Sequence, residues 1–315
     1  MRKVKKLLVI SLALIIVGVV LSACAGEQNV PSSATKMYKT STGEELEIPT
    51  EAKKIVVVSR AYLGHLLALG IKPVGAPSDA LDNSFLEGMI DGIADVGAGQ
   101  PSAEKILELG PDLIIASSIP DADYEKYQKV APTIRIPWGV YDFRETLQEL
   151  GTITGKTAEA EKWLKQFDQQ VAENKKKLAG VIGDNETVAI MEINSKAFYV
   201  YGDNYGRGGE ALYHSLGLKA PDKVKKEVID GPGWAALSLE TLPAFAADHI
   251  VLSVLENAGA NGDSILNSAI WKNLKAVQNN RVYRIDAKSF YNSDPISVQK
   301  EMNILVDMLI KRKQQ

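Results

Sequence analysis

The stretch Thr157–Gly180, TAEAEKWLKQFDQQVAENKKKLAG, decides the fold. Its apolar side chains recur at helical spacing and share one face: Trp163, Leu164, Phe167, Val171 and Leu178. Acidic residues lie near its start and lysines near its end, each with the sign that the helix dipole favours there. The pattern predicts a helix about as long as a small domain is wide. We interpret it as a rigid spine that joins two lobes; the alternative is a crossover or surface helix within one domain.

Two segments on either side of this helix match each other. Residues 102–117 read SAEKILELGPDLIIAS and residues 238–253 read SLETLPAFAADHIVLS, so that Ser, Glu, Asp, Ile and Ser recur at the same offsets. In each copy a short capped helix is predicted to lead to an aspartate and a buried strand. Strand-like and helix-like runs alternate along the chain, which is typical of α/β folds with mostly parallel sheets. The sequence therefore predicts an N-terminal lobe (48–156), the spine helix (157–180) and a C-terminal lobe (181–315).

The start of the chain has the pattern of an export signal. Residues 1–23 combine a basic start with an apolar core that is short for a membrane-spanning helix. Cys24 is the only cysteine and follows small residues, an arrangement that resembles a bacterial lipobox. The resemblance implies a lipid anchor on Cys24 at the extracytoplasmic face of the cell membrane, with residues 24–47 as the lipidated cysteine and a flexible tether. The alternatives are an ordinary signal cleaved without lipid, or a short anchor.

Charge and motif content exclude several classes of function. The chain has 36 basic and 39 acidic residues, and loss of the four basic residues of the signal leaves 32 against 39. This balance argues against a nucleic-acid partner, which requires a basic face. The three histidines, His65, His214 and His249, are scattered and form no catalytic or zinc-binding motif. We therefore expect neither an enzyme nor a metal ion held by the protein's own side chains.

Aromatic and arginine side chains collect in the loops that follow the predicted strands, where ligands of α/β sheets bind. These residues are Arg60, Tyr62, Trp138, Tyr141, Tyr201, Tyr205, Arg207, Phe290 and Tyr291. Aromatic walls with one or two fixed cations suit a bulky ligand that carries anionic oxygens. Glycines on both sides of Arg207 leave room for its guanidinium to reach into a cleft. The alternatives are core or rim packing for each aromatic residue, and a salt bridge within its own lobe for Arg60.

Several of these features occur together in one known class of proteins. They are the lipobox, the strand–turn–helix at Ile55–Gly70, the paired Ser-x-Glu segments, the spine helix and the stretch YGRGGEALY at Tyr205–Tyr213. With them the chain resembles the iron–siderophore substrate-binding lipoproteins of ABC importers, most closely the ferric-hydroxamate branch. The resemblance implies that an already chelated Fe(III)–siderophore binds between the lobes. Because the siderophore supplies the donor atoms of the iron, no cofactor is implied.

The resemblance also implies roles for individual residues of the cleft. Arg207 matches the arginine that faces the chelating oxygens. Tyr205 stands where relatives often carry tryptophan, which leaves the preferred siderophore open. Phe290 and Tyr291 match an aromatic segment that lines the cleft. All four are therefore expected to face the ligand.

The paired glutamates acquire a role from the same resemblance. In this class one exposed glutamate on each lobe docks on arginines of the permease dimer, and Glu104 and Glu240 occupy equivalent places in the internal repeat. The alternative for either residue is an ordinary solvent-facing glutamate.

Other functions stay open at the level of sequence. A binding protein of the same fold for haem or a cobalamin would also use an aromatic cleft, and haem can take a tyrosine as its axial ligand. A surface lipoprotein hydrolase has no support beyond the α/β topology, which does not define function. A structural envelope lipoprotein is disfavoured because so many aromatic residues converge on strand-end loops.

Overall fold

The structure, a computed structural model, describes residues 34–313 and begins with an antiparallel hairpin. Its strands are β1 (Thr35–Lys39) and β2 (Glu45–Pro49). Tyr38 and Ile48 join the core of the N-terminal lobe, so the prediction of a flexible tether up to residue 47 is wrong from Thr35 onward. The predicted signal peptide and Cys24 lie outside the described residues. Within residues 34–313, no helix combines the length and apolar character that crossing a membrane requires.

The N-terminal lobe is built on a parallel sheet. Its strands are β3 (Ile55–Val57), β4 (Gly75–Ala76), β5 (Ala94–Asp95), β6 (Leu113–Ala116) and β7 (Thr133–Arg135), in the order β5-β4-β3-β6-β7. Its helices are α1 (Leu63–Ala68), α2 (Ser78–Leu81), α3 (Ala103–Leu109), α4 (Asp121–Gln128) and α5 (Phe143–Thr154). Every residue of β3 and β6 is buried, as expected for parallel strands that are covered on both faces.

The predicted spine helix is α6 (Thr157–Leu178). It ends two residues before the predicted limit at Gly180, whose φ of +72° is the left-handed conformation that often follows a helix end. Leu164 packs into the core of the N-terminal lobe, whereas Phe167 and Val171 pack into that of the C-terminal lobe. One apolar face thus joins two cores.

The C-terminal lobe is built on a mixed sheet. Its strands are β8 (Val188–Ile193), β9 (Phe198–Tyr201), β10 (Trp234–Leu237), β11 (His249–Val254) and β12 (Val282–Ile285), in the order β10-β9-β8-β11-β12. Strands β8, β11 and β12 are parallel, while β9 and β10 run antiparallel to their neighbours. Its helices are α7 (Asp222–Val224), α8 (Leu242–Phe245), α9 (Gly259–Asn267), α10 (Ala269–Lys272) and α11 (Lys275–Gln278), with π-helical turns at Glu210–Ser215 and Lys225–Ile229.

The internal repeat of the sequence corresponds to a repeated structural contact. Asp112 accepts hydrogen bonds from the backbone N–H groups of Lys53 (2.7 Å) and Lys54 (3.0 Å), directly before β3. Asp248 accepts hydrogen bonds from the N–H (2.9 Å) and the hydroxyl (3.1 Å) of Thr187, directly before β8. Each aspartate ties its own strand to the start of a parallel neighbour. The two lobes are therefore built on one plan.

The last helix, α12 (Pro295–Lys313), packs against both lobes. Ile296 joins the N-terminal core, and Met302 the C-terminal core. Asp294 precedes the helix and accepts hydrogen bonds from the N–H of Ser297 (3.0 Å) and from Nδ2 of Asn83 (3.3 Å) in the N-terminal lobe. The predicted C-terminal lobe thus ends in a helix that both lobes share, and α12 connects them in addition to the spine.

Candidate ligand-binding cleft

A cavity of about 750 Å³ lies between the two lobes. On the N-terminal side its walls are Ser59–Tyr62, Ser117–Ile119 and Pro137–Phe143, which directly follow β3, β6 and β7. On the C-terminal side they are Asp203–Tyr205 with Arg207, and Tyr291–Asp294. Ligands of parallel sheets bind at the carboxyl ends of strands, and the volume lies within the range of small-molecule sites.

Arg207 is buried in the C-terminal wall, where it is only 7% exposed. Its Nε and Nη2 donate to the two carboxylate oxygens of Glu192 at 3.0 and 3.3 Å. Its Nη1 donates to the backbone carbonyl of Tyr205 at 2.8 Å. Since a buried charge is costly without a partner, Arg207 and Glu192 hold each other in place.

Glu192 anchors this arrangement from β8, where it is 2% exposed. It also accepts hydrogen bonds from the hydroxyls of Tyr201 (3.2 Å) and Ser253 (3.1 Å). None of the sequence motifs pointed to Glu192. A signal was nevertheless present, because a lone glutamate in the buried run Val188–Ile193 needs a paired charge.

The backbone around Arg207 is held in an unusual conformation. Arg207 has a φ of +57° and Gly206 one of +69°, both in the left-handed region. A Cβ at position 206 would lie 2.6 Å from the carbonyl oxygen of Tyr291, so only glycine fits there. The N–H of Arg207 donates to the carbonyl of Phe290. The loop that carries the arginine is thus fixed against the segment that carries Tyr291.

Two arginines from opposite lobes meet at one aromatic ring. The guanidinium carbons of Arg60 and Arg207 lie 4.0 and 4.6 Å from the centroid of the Tyr291 ring, within the range of cation–π interactions. Arg60 is exposed, and no carboxylate of residues 34–313 forms an ion pair with it. The alternative for Arg60, a salt bridge within its own lobe, is therefore not formed among the described residues.

The remaining aromatic side chains line the cleft to different extents. Trp138 is 51% exposed, and its ring packs 5.2 Å from that of Tyr205 on the opposite lobe. Tyr141 is half-buried and packs against the N-terminal core. Tyr62 is buried and donates its hydroxyl to the carbonyl of Ile136 at 2.6 Å; burial raises the pKa of this phenol.

Two residues expected at the cleft do not line its cavity. Tyr201 lies behind Arg207, 4.2 Å from ring centroid to guanidinium carbon, and uses its hydroxyl on Glu192. Phe290 is buried and packs edge-on against Phe85 at 5.7 Å. The reason is local geometry, because the tight turn Ser289–Tyr291 directs neighbouring side chains to different sides and only Tyr291 reaches the cleft.

Both paired glutamates are exposed, but their local structures differ. Glu104 lies in the first turn of α3 and accepts a hydrogen bond from the capping Ser102 hydroxyl at 2.7 Å, which is the main reason that its pKa is lowered. Glu240 lies in a turn before α8, so the prediction that it belongs to a capped helix is wrong. There Ser238 accepts from the N–H of Thr241, and the helix begins only at Leu242.

The histidines are held by protein contacts. Nδ1 of His65 lies 2.9 Å from the carbonyl of Ala61, and burial lowers the pKa of His65 to about 4. Nε2 of His214 lies 2.8 Å from Asp203, which raises the pKa of His214. His249 hydrogen-bonds within the C-terminal lobe. No group of three or more His, Cys, Asp or Glu side chains within residues 34–313 could hold a metal ion.

Known proteins are similar in sequence to this chain over most of its length. A family model described as "Periplasmic binding protein" matches residues 55–289. The iron(3+)-hydroxamate-binding protein FhuD of Bacillus subtilis (strain 168) is 39% identical over 299 residues, which cover 92% of this chain and 94% of that protein.

Solved structures are similar over both lobes. A periplasmic binding protein component of a ferrichrome ABC transporter from Bacillus subtilis has a TM-score of 0.80 and 40% identity, covering 87% of this chain and 100% of its own. FhuD2 from Staphylococcus aureus with bound ferrioxamine B has a TM-score of 0.74 and 32% identity, covering 83% of this chain and 99% of its own.

Proposed function

Because this chain belongs to the periplasmic binding protein family, we propose that it captures an Fe(III)–hydroxamate siderophore between its lobes and delivers it to an ABC importer permease. The observation that carries the proposal is a cleft of about 750 Å³ with aromatic walls, in which arginines from opposite lobes meet at Tyr291. The names of its relatives, which refer to iron(3+)-hydroxamate, ferrichrome and ferrioxamine B, support this ligand class.

Capture requires no bond chemistry, only complementary contacts. A guanidinium has five N–H donors, and Arg207 uses three of them on Glu192 and Tyr205. Two donors stay available for the anionic oxygens of the iron chelate, and charge-assisted hydrogen bonds of this kind are strong. The iron is cargo and keeps the siderophore's own donor atoms. Trp138 and Tyr205 would cover the apolar surface of the complex.

Delivery uses surfaces outside the cleft. Glu104 and Glu240 are exposed on separate lobes and are proposed to dock on arginines of the permease dimer. Cys24 is proposed to carry the lipid that holds the protein at the extracytoplasmic face of the membrane. Such an anchor raises the effective concentration of the loaded protein near its permease.

A titration tests the ligand class. The full chain in detergent is mixed with apo and ferric forms of a hydroxamate, a catecholate and a citrate-type siderophore while tryptophan fluorescence is followed. Saturable quenching by the ferric hydroxamate alone is expected, and Trp138→Phe should remove much of it because Trp138 lies in the cleft. Tight binding of another ferric ligand would discard the hydroxamate class. A Soret band on addition of haem, with no siderophore bound, would favour the haem alternative.

A further inference from the structure

A smaller cavity of about 380 Å³ adjoins the cleft. Its walls come from the first turn of α5, the middle of the spine helix α6, and the π-helical turn Glu210–Ser215. Asp142, Glu210 and His214 line both the cleft and this side cavity. We call these three residues the rim. A ligand that fills the cleft therefore has further space beyond the rim.

Some charges around the side cavity are already paired. Arg144 forms an ion pair with Asp168 on the spine. His214 forms a hydrogen bond of 2.8 Å with Asp203. Each of these four side chains has a partner among the other three. The side chains without a partner therefore decide which ligand charge the side cavity favours.

Three polar groups in the walls have no hydrogen-bond or ion-pair partner among residues 34–313. They are the carboxyl of Glu210, the ammonium of Lys175 and the hydroxyl of Ser215. Ser215 is only 6% exposed, and its Oγ is fully buried. Because solvent does not reach this Oγ, Ser215 does not face the space, and the unpartnered groups left to face it are Glu210 and Lys175.

On the basis of the proposed function, we infer that the side cavity receives the pendant chain of the ferric hydroxamate and that Glu210 selects chains ending in a protonated amine. An ammonium group is the complement of a carboxylate that lacks a partner. Asp142 adds a second negative charge at the rim, while the positive charge of Arg144 is taken up by Asp168. Lys175 disfavours a cation at the far wall.

The ionisation of Glu210 gives the inference a pH signature. Burial raises the pKa of Glu210 to about 7, against the effect of His214. An ammonium ligand favours the ionised carboxylate, so its binding should strengthen as the pH rises through about 7. The charged groups that face Glu210 from the surrounding elements are Asp142, Arg144, Asp168, Lys175, Asp203, His214 and Glu301.

The test compares ferrioxamine B, whose pendant chain ends in a primary amine, with its N-acetylated form. Dissociation constants are measured with the full chain in detergent at pH 8. The wild type should bind the amine at least about tenfold more tightly. Glu210→Gln, which keeps the shape and removes the charge, should bring the ratio close to one. Glu108→Gln removes the same charge from the exposed side of α3 and should keep the wild-type ratio.

Each result has one meaning. Equal affinities in the wild type, or a tenfold ratio that persists in Glu210→Gln, would overturn the inference; the second result would assign the selectivity to shape. A wild-type ratio that grows between pH 6 and pH 8 supports the inference without any variant, and a constant ratio contradicts it. If the wild type binds ferric ferrichrome but neither ferrioxamine, only the selectivity of Glu210 fails; if it binds no ferric hydroxamate, the proposed function fails as well.

Discussion

The two lobes share one plan but offer the ligand different kinds of surface. The N-terminal wall carries Arg60, which is exposed and has no carboxylate partner within the described chain. The C-terminal wall carries Arg207, which is buried and doubly hydrogen-bonded to Glu192. One wall is thus preorganised, which lowers the cost of binding, whereas the other keeps a cation that can follow the shape of the ligand.

The difference has its origin in the two sheets. The N-terminal sheet is parallel throughout, and its strand-end loops form the wall directly. In the C-terminal sheet only β9 runs against the other strands, and the long segment between β9 and β10 carries Arg207. The ion pair of Arg207 with Glu192 of β8 fixes that segment to the sheet. A repeated plan therefore does not produce two equal binding surfaces.

The largest effect is expected on siderophore uptake, from the two glutamates, one on each lobe, that are proposed to dock on the permease. Replacing Glu104→Ala together with Glu240→Ala should abolish siderophore uptake by cells and leave ligand affinity intact, because both residues lie outside the cleft. Uptake of radiolabelled iron measures the first property, and fluorescence titration the second. Glu108→Ala is the control for loss of an exposed carboxylate on α3. Normal uptake by the double variant would refute docking through this pair.

A large difference in stability should separate the two arginines. Arg207→Ala leaves Glu192 buried and uncompensated, so the free energy of unfolding should fall by about 3–5 kcal/mol and ligand affinity should fall with it. Arg60→Ala should change the free energy of unfolding by less than about 0.5 kcal/mol. Urea unfolding measures both.

A double replacement of the ion pair sharpens this comparison. Changing Arg207 and Glu192 together to methionine should restore much of the lost stability, since well-packed apolar residues often replace a buried pair without cost. Binding should not return. Equal stability of Arg207→Ala and Arg60→Ala would show that the C-terminal wall is not preorganised by this pair.

The lobes should also respond to pH in opposite directions. His65 has a pKa of about 4 in the folded N-terminal lobe against 6.5 as its ordinary value, so its contribution to stability is lost as the pH falls below about 6.5. Glu210 has a pKa of about 7 against 4.5, so its contribution is lost as the pH rises from about 4.5 to 7. Each contribution is at most about 3 kcal/mol.

Two variants separate these contributions. Between pH 4.5 and 6.5, Glu210→Gln should make the free energy of unfolding rise more steeply with pH than in the wild type. His65→Gln should make that rise shallower. Urea unfolding at several pH values measures the slopes. Parallel curves for the wild type and both variants would contradict the assigned ionisation states.

The smallest effect is expected for the exposed arginine in binding. Arg60→Ala should weaken ferric hydroxamate binding by about fivefold, which corresponds to about 1 kcal/mol, since an exposed charge contributes modestly. Arg60→Lys keeps the charge and should recover part of the loss. An affinity loss as large as that of Arg207→Ala would remove the distinction between a fixed and an adaptable wall.

Much of the fold could be predicted because its signals are local. Apolar residues recur every three to four positions along α6, and the helix ends at Leu178, the last of them. The hairpin β1–β2 was missed because its buried residues are only Tyr38, Ile48 and Pro49, too few to give a pattern. At Glu240 the repeat predicted a helix that begins three residues too early, because Ser238 caps a turn there.

The sequence by itself determined the two-lobed α/β plan, the spine and the group of residues from which the cleft is drawn, since periodicity and strand-end position are properties of neighbouring residues. Only the tertiary structure decided that Glu192 holds Arg207, that Tyr291 rather than Phe290 meets both arginines, and that a cavity opens behind Glu210. The physical reason is burial. A charge needs a partner, and a cavity has walls, only once the packing of distant segments has excluded water from them.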